Sequence, residues 1–317
     1  MSLAAAREKT LQPFSGEEAE AHGLAARMPA LLIESQRVAH TVAHGTHGRR
    51  RAGPGETFWQ FRHFDQNDAR TGIDWRRSAS SDHLFVSERE WEAAHTVWLW
   101  ADLSPSMRFR SSLAKVTKES RSVVLALALA ELLARGGERV GVFGRPPFTG
   151  RAAARRVAEI MMGDTNDASL PPNAKLSRFS ECLLFSDFLE PVPEMTERFE
   201  EIASQGVRGH LVQVLDPAEE TLPYAGRTEF AASEGRDRVI AGRAETLRES
   251  YQERLKRHRT DLVEMTRRLG WSFLVHHTDR PPEEAVLSLH TRLAGLERDY
   301  RYRVPRPVAE KQAGQQP

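Results

Sequence analysis

The chain has 317 residues, of which 40% are hydrophobic, enough for one large domain or two ordinary ones with a buried core. Its 45 Lys and Arg nearly cancel its 44 Asp and Glu, and a formal charge of +1 gives no global drive toward nucleic acid or an anionic membrane. A single cysteine, Cys182, excludes an intramolecular disulfide and a cysteine zinc site, and fits a reducing compartment.

In chain order, residues 1–44 read as an Ala- and Glu-rich lead-in, partly helical, with a short helix over Ala30–Val42. The first ten residues contain no apolar secretory segment. Gly45–Gly55 is a loop by composition, with three consecutive arginines. Residues 45–94 form a β-containing extension, with strands at Thr57–Phe61 and His83–Val86.

From Ala94 the pattern becomes an alternation of apolar strands and amphipathic helices. Strands are expected at Thr96–Ala101, Arg139–Phe143, Cys182–Ser186, Gly209–Leu215 and Trp271–His276. Helices are expected at Leu113–Ala134, Ala152–Met162, Val192–Ser204, Ala244–Leu269 and Glu283–Leu296, with Arg145–Gly150 a turn. The apolar run Val123–Ala134 covers about half of the roughly 20 residues a bilayer crossing needs. The expectation is a cytoplasmic α/β protein, with a mostly parallel central sheet flanked by helices over 95–303 and a disordered tail over 304–317.

Ligands of open parallel sheets collect beyond the carboxyl ends of the strands. Strand Thr96–Ala101 runs into Asp102-Leu103-Ser104-Pro105-Ser106, and strand Cys182–Ser186 into Asp187. Two carboxylates and two hydroxyls on one rim are hard oxygen donors suited to Mg²⁺, Mn²⁺ or Ca²⁺. Asp102 and Ser104 are also residue types that cap a following helix, which would leave the loop a metal-free scaffold.

The strand-DxSxS-helix order resembles the metal-ion-dependent adhesion site of von Willebrand factor A domains. That resemblance implies a metal site of Asp102, Ser104, Ser106 and Asp187, in which the two serines and a threonine, Thr149 or Thr165, contact the ion and the aspartates act largely through water. Upstream, Gly53-Pro-Gly-Glu56-Thr-Phe58, Arg62-His-Phe64, Asp68-Ala-Arg70, Ile73-Asp74-Trp75-Arg76, Ser78-Ala79, Val86 and Glu88 follow in register over roughly 45–216. This order is similar to the bacterial family called domain of unknown function 58, although Gln66-Asn67-Asp68 stands where Gly-Asp is usual. The resemblance implies a divalent-metal-dependent protein-interaction module, with an AAA+ ATPase of the MoxR type or its client as partner, acting in chaperone-like assembly or maturation. The enzymatic alternative is a metal-dependent phosphoester hydrolase on the same rim.

The mixed charges between Arg62 and Arg77 are expected to form a docking ion-pair network. His40, His44 and His47 have metal-like spacing without cysteine or acidic partners, and read as solvated loop residues. Trp98, Trp100 and Cys182 belong to the core by position. No phosphate-binding glycine loop or nucleophile elbow is present in the sequence.

Overall fold

A computed structural model describes residues 5–7, 23–46, 58–63, 75–79, 84–89, 95–163, 168–231 and 238–302. Thr165, His47, the 304–317 tail and most of the segment from Arg62 to Arg77 lie outside the described residues. The strands are β1 (Ala5–Arg7), β2 (Phe58–His63), β3 (Phe85–Arg89), β4 (Thr96–Ala101), β5 (Arg139–Val142), β6 (Glu181–Ser186), β7 (Arg208–Leu215), β8 (Thr228–Ala231), β9 (Arg238–Ala241) and β10 (Ser272–His277). The helices are α1 (Gly23–Thr46), α2 (Trp75–Ser78), α3 (Lys118–Arg135), α4 (Ala153–Gly163), α5 (Val192–Ser204), α6 (Pro217–Thr221), α7 (Arg248–Arg268) and α8 (Pro282–Tyr302).

Five strands form one parallel sheet in the order β10-β7-β6-β4-β5. The β4 and β6 strands are buried along their whole length because helices cover both faces, which is why their sequences are continuous apolar runs rather than alternations. On one face α1, α3, α4 and α8 pack over Val97, Leu99, Leu183, Phe185, Val212 and Val214. On the other, α5 and α7 pack over Trp98, Trp100, Cys182, Leu184 and Leu211. Among the described residues no helix is long and apolar enough to cross a membrane.

The centre of the first layer is α3, whose residues from Lys118 to Ala134 are all buried. A helix buried on every side lies inside a layer of other elements, and its polar residues, Lys118–Ser122 and Glu131, are buried with it. It begins at Lys118, five residues later than the sequence suggested, because the Thr117 side chain accepts the Ser120 N–H and caps the first turn. The α1 helix is longer than the expected short helix and runs through Pro29. Arg27 ties it to the start of α3 through Ser120 Oγ at 2.6 Å. His40 and His44 sit on this helix with ring centroids 3.9 Å apart, not in a loop.

The described residues also form two small antiparallel sheets. The β2–β3 pair supplies the expected β structure of the extension. The β1-β8-β9 sheet, which the sequence did not announce, packs through Phe230 and Ala241 on Tyr251 and Leu255 of α7.

Candidate functional site

The chain leaves β4, forms β5 on one side of it, then crosses to build β6, β7 and β10 on the other. The order therefore reverses between β4 and β6, the place in an open parallel sheet where ligands collect beyond the carboxyl ends of the strands. Asp102 and Asp187 are the first residues past those two tips. The Asp102 N–H donates to Phe185 O at 2.8 Å, extending the ladder one residue and fixing the two side by side.

Asp102 is fully buried and both of its oxygens are engaged. Oδ1 accepts the Ser104 N–H at 2.8 Å, closing a tight turn, and Oδ2 accepts the Ser186 hydroxyl at 2.7 Å. The Ser104 and Ser106 hydroxyls face each other at 3.1 Å, also out of solvent. A 3-10 turn, Pro105–Arg108, follows, and the Ser104 side chain makes no capping bond to it. Burial, and then the charge of Asp187, raise the Asp102 pKa to about 6, while the Ser186 and Ser104 bonds pull the other way.

Asp187 is held by a side chain that sequence reasoning missed. Lys118 Nζ, in the first turn of α3 and 1% exposed, donates to Asp187 Oδ2 at 2.8 Å and to Glu219 Oε1 at 2.6 Å. Burial works against the ammonium, but the two carboxylates hold its pKa above the ordinary lysine value. Asp187 Oδ1 accepts the Leu189 N–H at 3.3 Å, and its carbonyl accepts from Gln213 Nε2 at 2.9 Å. Phe188 makes the turn that aims Asp187, in a left-handed conformation (φ 47°), and is kept there by burial against Phe199.

Glu219 is placed by α6, a helix of five residues. Asp216, directly after β7, caps it through the Ala218 N–H, and Glu219 Oε2 returns to the Asp216 N–H at 2.8 Å. Asp216 Oδ2 also accepts the Ser111 N–H at 2.9 Å, anchoring the loop that follows β4. Three of the five parallel strands thus end directly in an aspartate, and the third, Asp216, fixes loop geometry.

The structure brings Asp102, Ser104, Ser106 and Asp187 to one rim but leaves Thr149 elsewhere. After β5 the chain turns back, and Phe148 pairs antiparallel with Val140. Thr149 therefore lies level with Arg139, which pairs with Thr96 at the amino end of β4. Six residues of strand separate it from the rim, about 20 Å at ~3.3 Å each.

The donor set does not fit a divalent ion while Lys118 is in place. Each carboxylate oxygen of Asp102 and Asp187 already accepts a protein hydrogen bond, and the two hydroxyls pair with each other. A dication about 4 Å from the ammonium would be repelled by about 8 kcal/mol at an effective dielectric of about 20. Among the described residues no group of three His, Cys, Asp or Glu is arranged to hold a metal.

Elsewhere, His276 is buried beside Arg121, and burial, then the Arg121 charge, lower its pKa to about 3. His277 instead meets Glu220 Oε2 at 3.1 Å. Cys182 is a fully buried thiol whose pKa burial pushes up, so it is a poor nucleophile. Trp98 and Trp100 lie in the core as expected.

No curated protein matches the chain. Among solved structures, the crystal structure of the conserved hypothetical protein BatB from Bacteroides thetaiotaomicron is similar at 12% identity, covering 64% of this chain and 100% of that one, with a TM-score of 0.31. The family described as protein of unknown function DUF58 matches residues 60–261, a span that contains the two strand tips and the lysine between them, and the chain belongs to that family.

Proposed function

We propose that the chain is a non-catalytic protein-recognition module that holds its partner with the loop above the strand-order reversal, from Pro105 to Thr117. One observation carries this reading: the loop is anchored at several buried points and still turns a basic edge to solvent. Met107 and Ala114 are buried, and Ser111 is bound to Asp216. Beside these anchors Arg108, Arg110 and Lys115 are exposed, and Leu113 is 50% exposed. Cations around an aliphatic knob on a rigid loop complement an acidic surface with an apolar pocket.

The family resemblance supports an AAA+ ATPase of the MoxR type, or its client, as the partner, in chaperone-like assembly or maturation. Recognition by an external loop stands without an ion. The von Willebrand factor A-like reading of the domain is supported by the five-stranded order and by the DxSxS loop at its reversal. A phosphoester hydrolase is supported less well, because every carboxylate oxygen of Asp102 and Asp187 already accepts a hydrogen bond from the chain.

Capture of the ATPase by the full chain, followed by biolayer interferometry, tests the reading. The double reversal Arg110→Glu, Lys115→Glu and the single change Leu113→Asp should each weaken capture by about tenfold or more. Undiminished capture by both variants would remove this loop from the interface. Phosphoester turnover that vanishes in Asp187→Asn would favour the hydrolase.

A further inference from the structure

The rim has the oxygen donors of a divalent-ion site, and a lysine stands where the ion's charge would act. Lys118 cannot be treated as a surface residue that happens to lean inward. Its side chain is 1% exposed, it is rooted in the first turn of the most buried helix, and it bridges carboxylates from two separate segments, Asp187 after β6 and Glu219 on α6. The Phe109 ring, 6.0 Å from Nζ, covers it further. A cation near the amino end of a helix opposes the helix dipole, so its position there requires carboxylates strong enough to override that cost.

We infer that Lys118 Nζ is the resident cation of this rim, supplying from the chain itself the positive charge that a dissociable divalent ion supplies at sites with these donors. This deepens the recognition reading and rests on it only for biological meaning: partner capture does not depend on divalent-ion concentration. The ammonium ties two elements together, because Asp187 fixes the β6 tip and Glu219 fixes α6, while the backbone N–H of the same residue donates to Phe109 O at 3.3 Å and closes the recognition loop. A lysine does this permanently, whereas a bound ion does it only while the ion stays.

The full chain can be titrated with millimolar Mn²⁺, with free ion followed by electron paramagnetic resonance, and melted in EDTA and in MgCl₂. The expected result is no saturable Mn²⁺ site and superimposable melts. A stoichiometric site lost in both Asp187→Asn and Ser104→Ala, or a melt raised several degrees by Mg²⁺, would overturn the inference. Lys118→Met removes the charge and keeps the length of the side chain. Folded, it should gain a saturable Mn²⁺ site at least about tenfold tighter than any wild-type background. A folded variant that still takes no ion would show that the lysine does not stand in an ion's place. If the variant does not fold, the wild-type titration and melts decide alone. Neither readout involves a partner, so failure of ATPase capture would leave the inference standing.

Discussion

Replacing Asp102 by Asn probes the rim with a sign that an ion site would not give. In the folded chain the Asp102 carboxyl titrates at about 6 instead of 3.8, chiefly because it is buried. The unfolded chain releases that proton first as pH rises, so stability falls between 3.8 and about 6, and the full penalty is present above that. At about 1.4 kcal/mol per unit, the two-unit shift amounts to about 3 kcal/mol at pH 8. Asparagine keeps Oδ1 as acceptor for the Ser104 N–H, and its amide can donate to Ser186 Oγ in place of the bond that hydroxyl now gives. The new amide is also buried, so the net gain should be about 1–3 kcal/mol, which for a chain of this size is several degrees in Tm. Calorimetry of both proteins at pH 8 and pH 4 is the assay. Asp102→Asn should melt higher at pH 8, and the two should converge at pH 4, where the aspartic acid is neutral. A variant less stable than wild type at pH 8, with the gap closing in acid, would mean that the anion is bound by a positive charge and would refute the reasoning.

Further outcomes follow from other parts of the molecule. Asp216→Ala removes the α6 cap and the Ser111 anchor together, and should cost about 3 kcal/mol by denaturant unfolding while speeding proteolysis within 105–117. His276, held neutral down to about pH 3, takes up a proton near 6.5 only when unfolded. Its contribution to stability is therefore complete above pH 6.5 and falls as pH drops toward 3, by about 2 kcal/mol at pH 5, and His276→Leu should flatten that part of a pH–stability profile. Gly141→Ala would place a Cβ 2.3 Å from Trp98 Cε3 in the adjoining strand, and should destabilise by about 1–3 kcal/mol in the same unfolding assay.

Much of the architecture was legible because period and burial agree. The β4 and β6 runs, apolar on both faces rather than alternating, read as interior strands, and both appear within a residue of the expected bounds. The convergence of Asp102 with Asp187 was also legible, since it needs only that two neighbouring strands end at the same level. Thr149 was not, because its distance from the rim depends on a backward turn whose pairing, Val140 with Phe148, leaves no periodic trace in six residues. Glu219 was hidden in a helix of one turn and a half, announced only by the Asp216-x-x-Glu219 capping spacing. Lys118 was passed over as an ordinary helix residue. Its signal was physical, not periodic: a lysine in the first turn of a helix whose body is aliphatic, against the dipole, calls for buried acids nearby. The β8 and β9 strands were missed because four-residue strands outside the main sheet are too short for alternation to be read.

The most direct test of the rim's charge balance is the lysine ammonium spectrum of the ¹⁵N-labelled protein at neutral pH, with Lys118→Met assigning the signal. Lys118 should give a slowly exchanging NH₃⁺ resonance, protected by Asp187 and Glu219 and unmoved by saturating Mg²⁺. A resonance that exchanges as fast as those of surface lysines, or that shifts as Mg²⁺ is added, would contradict the account.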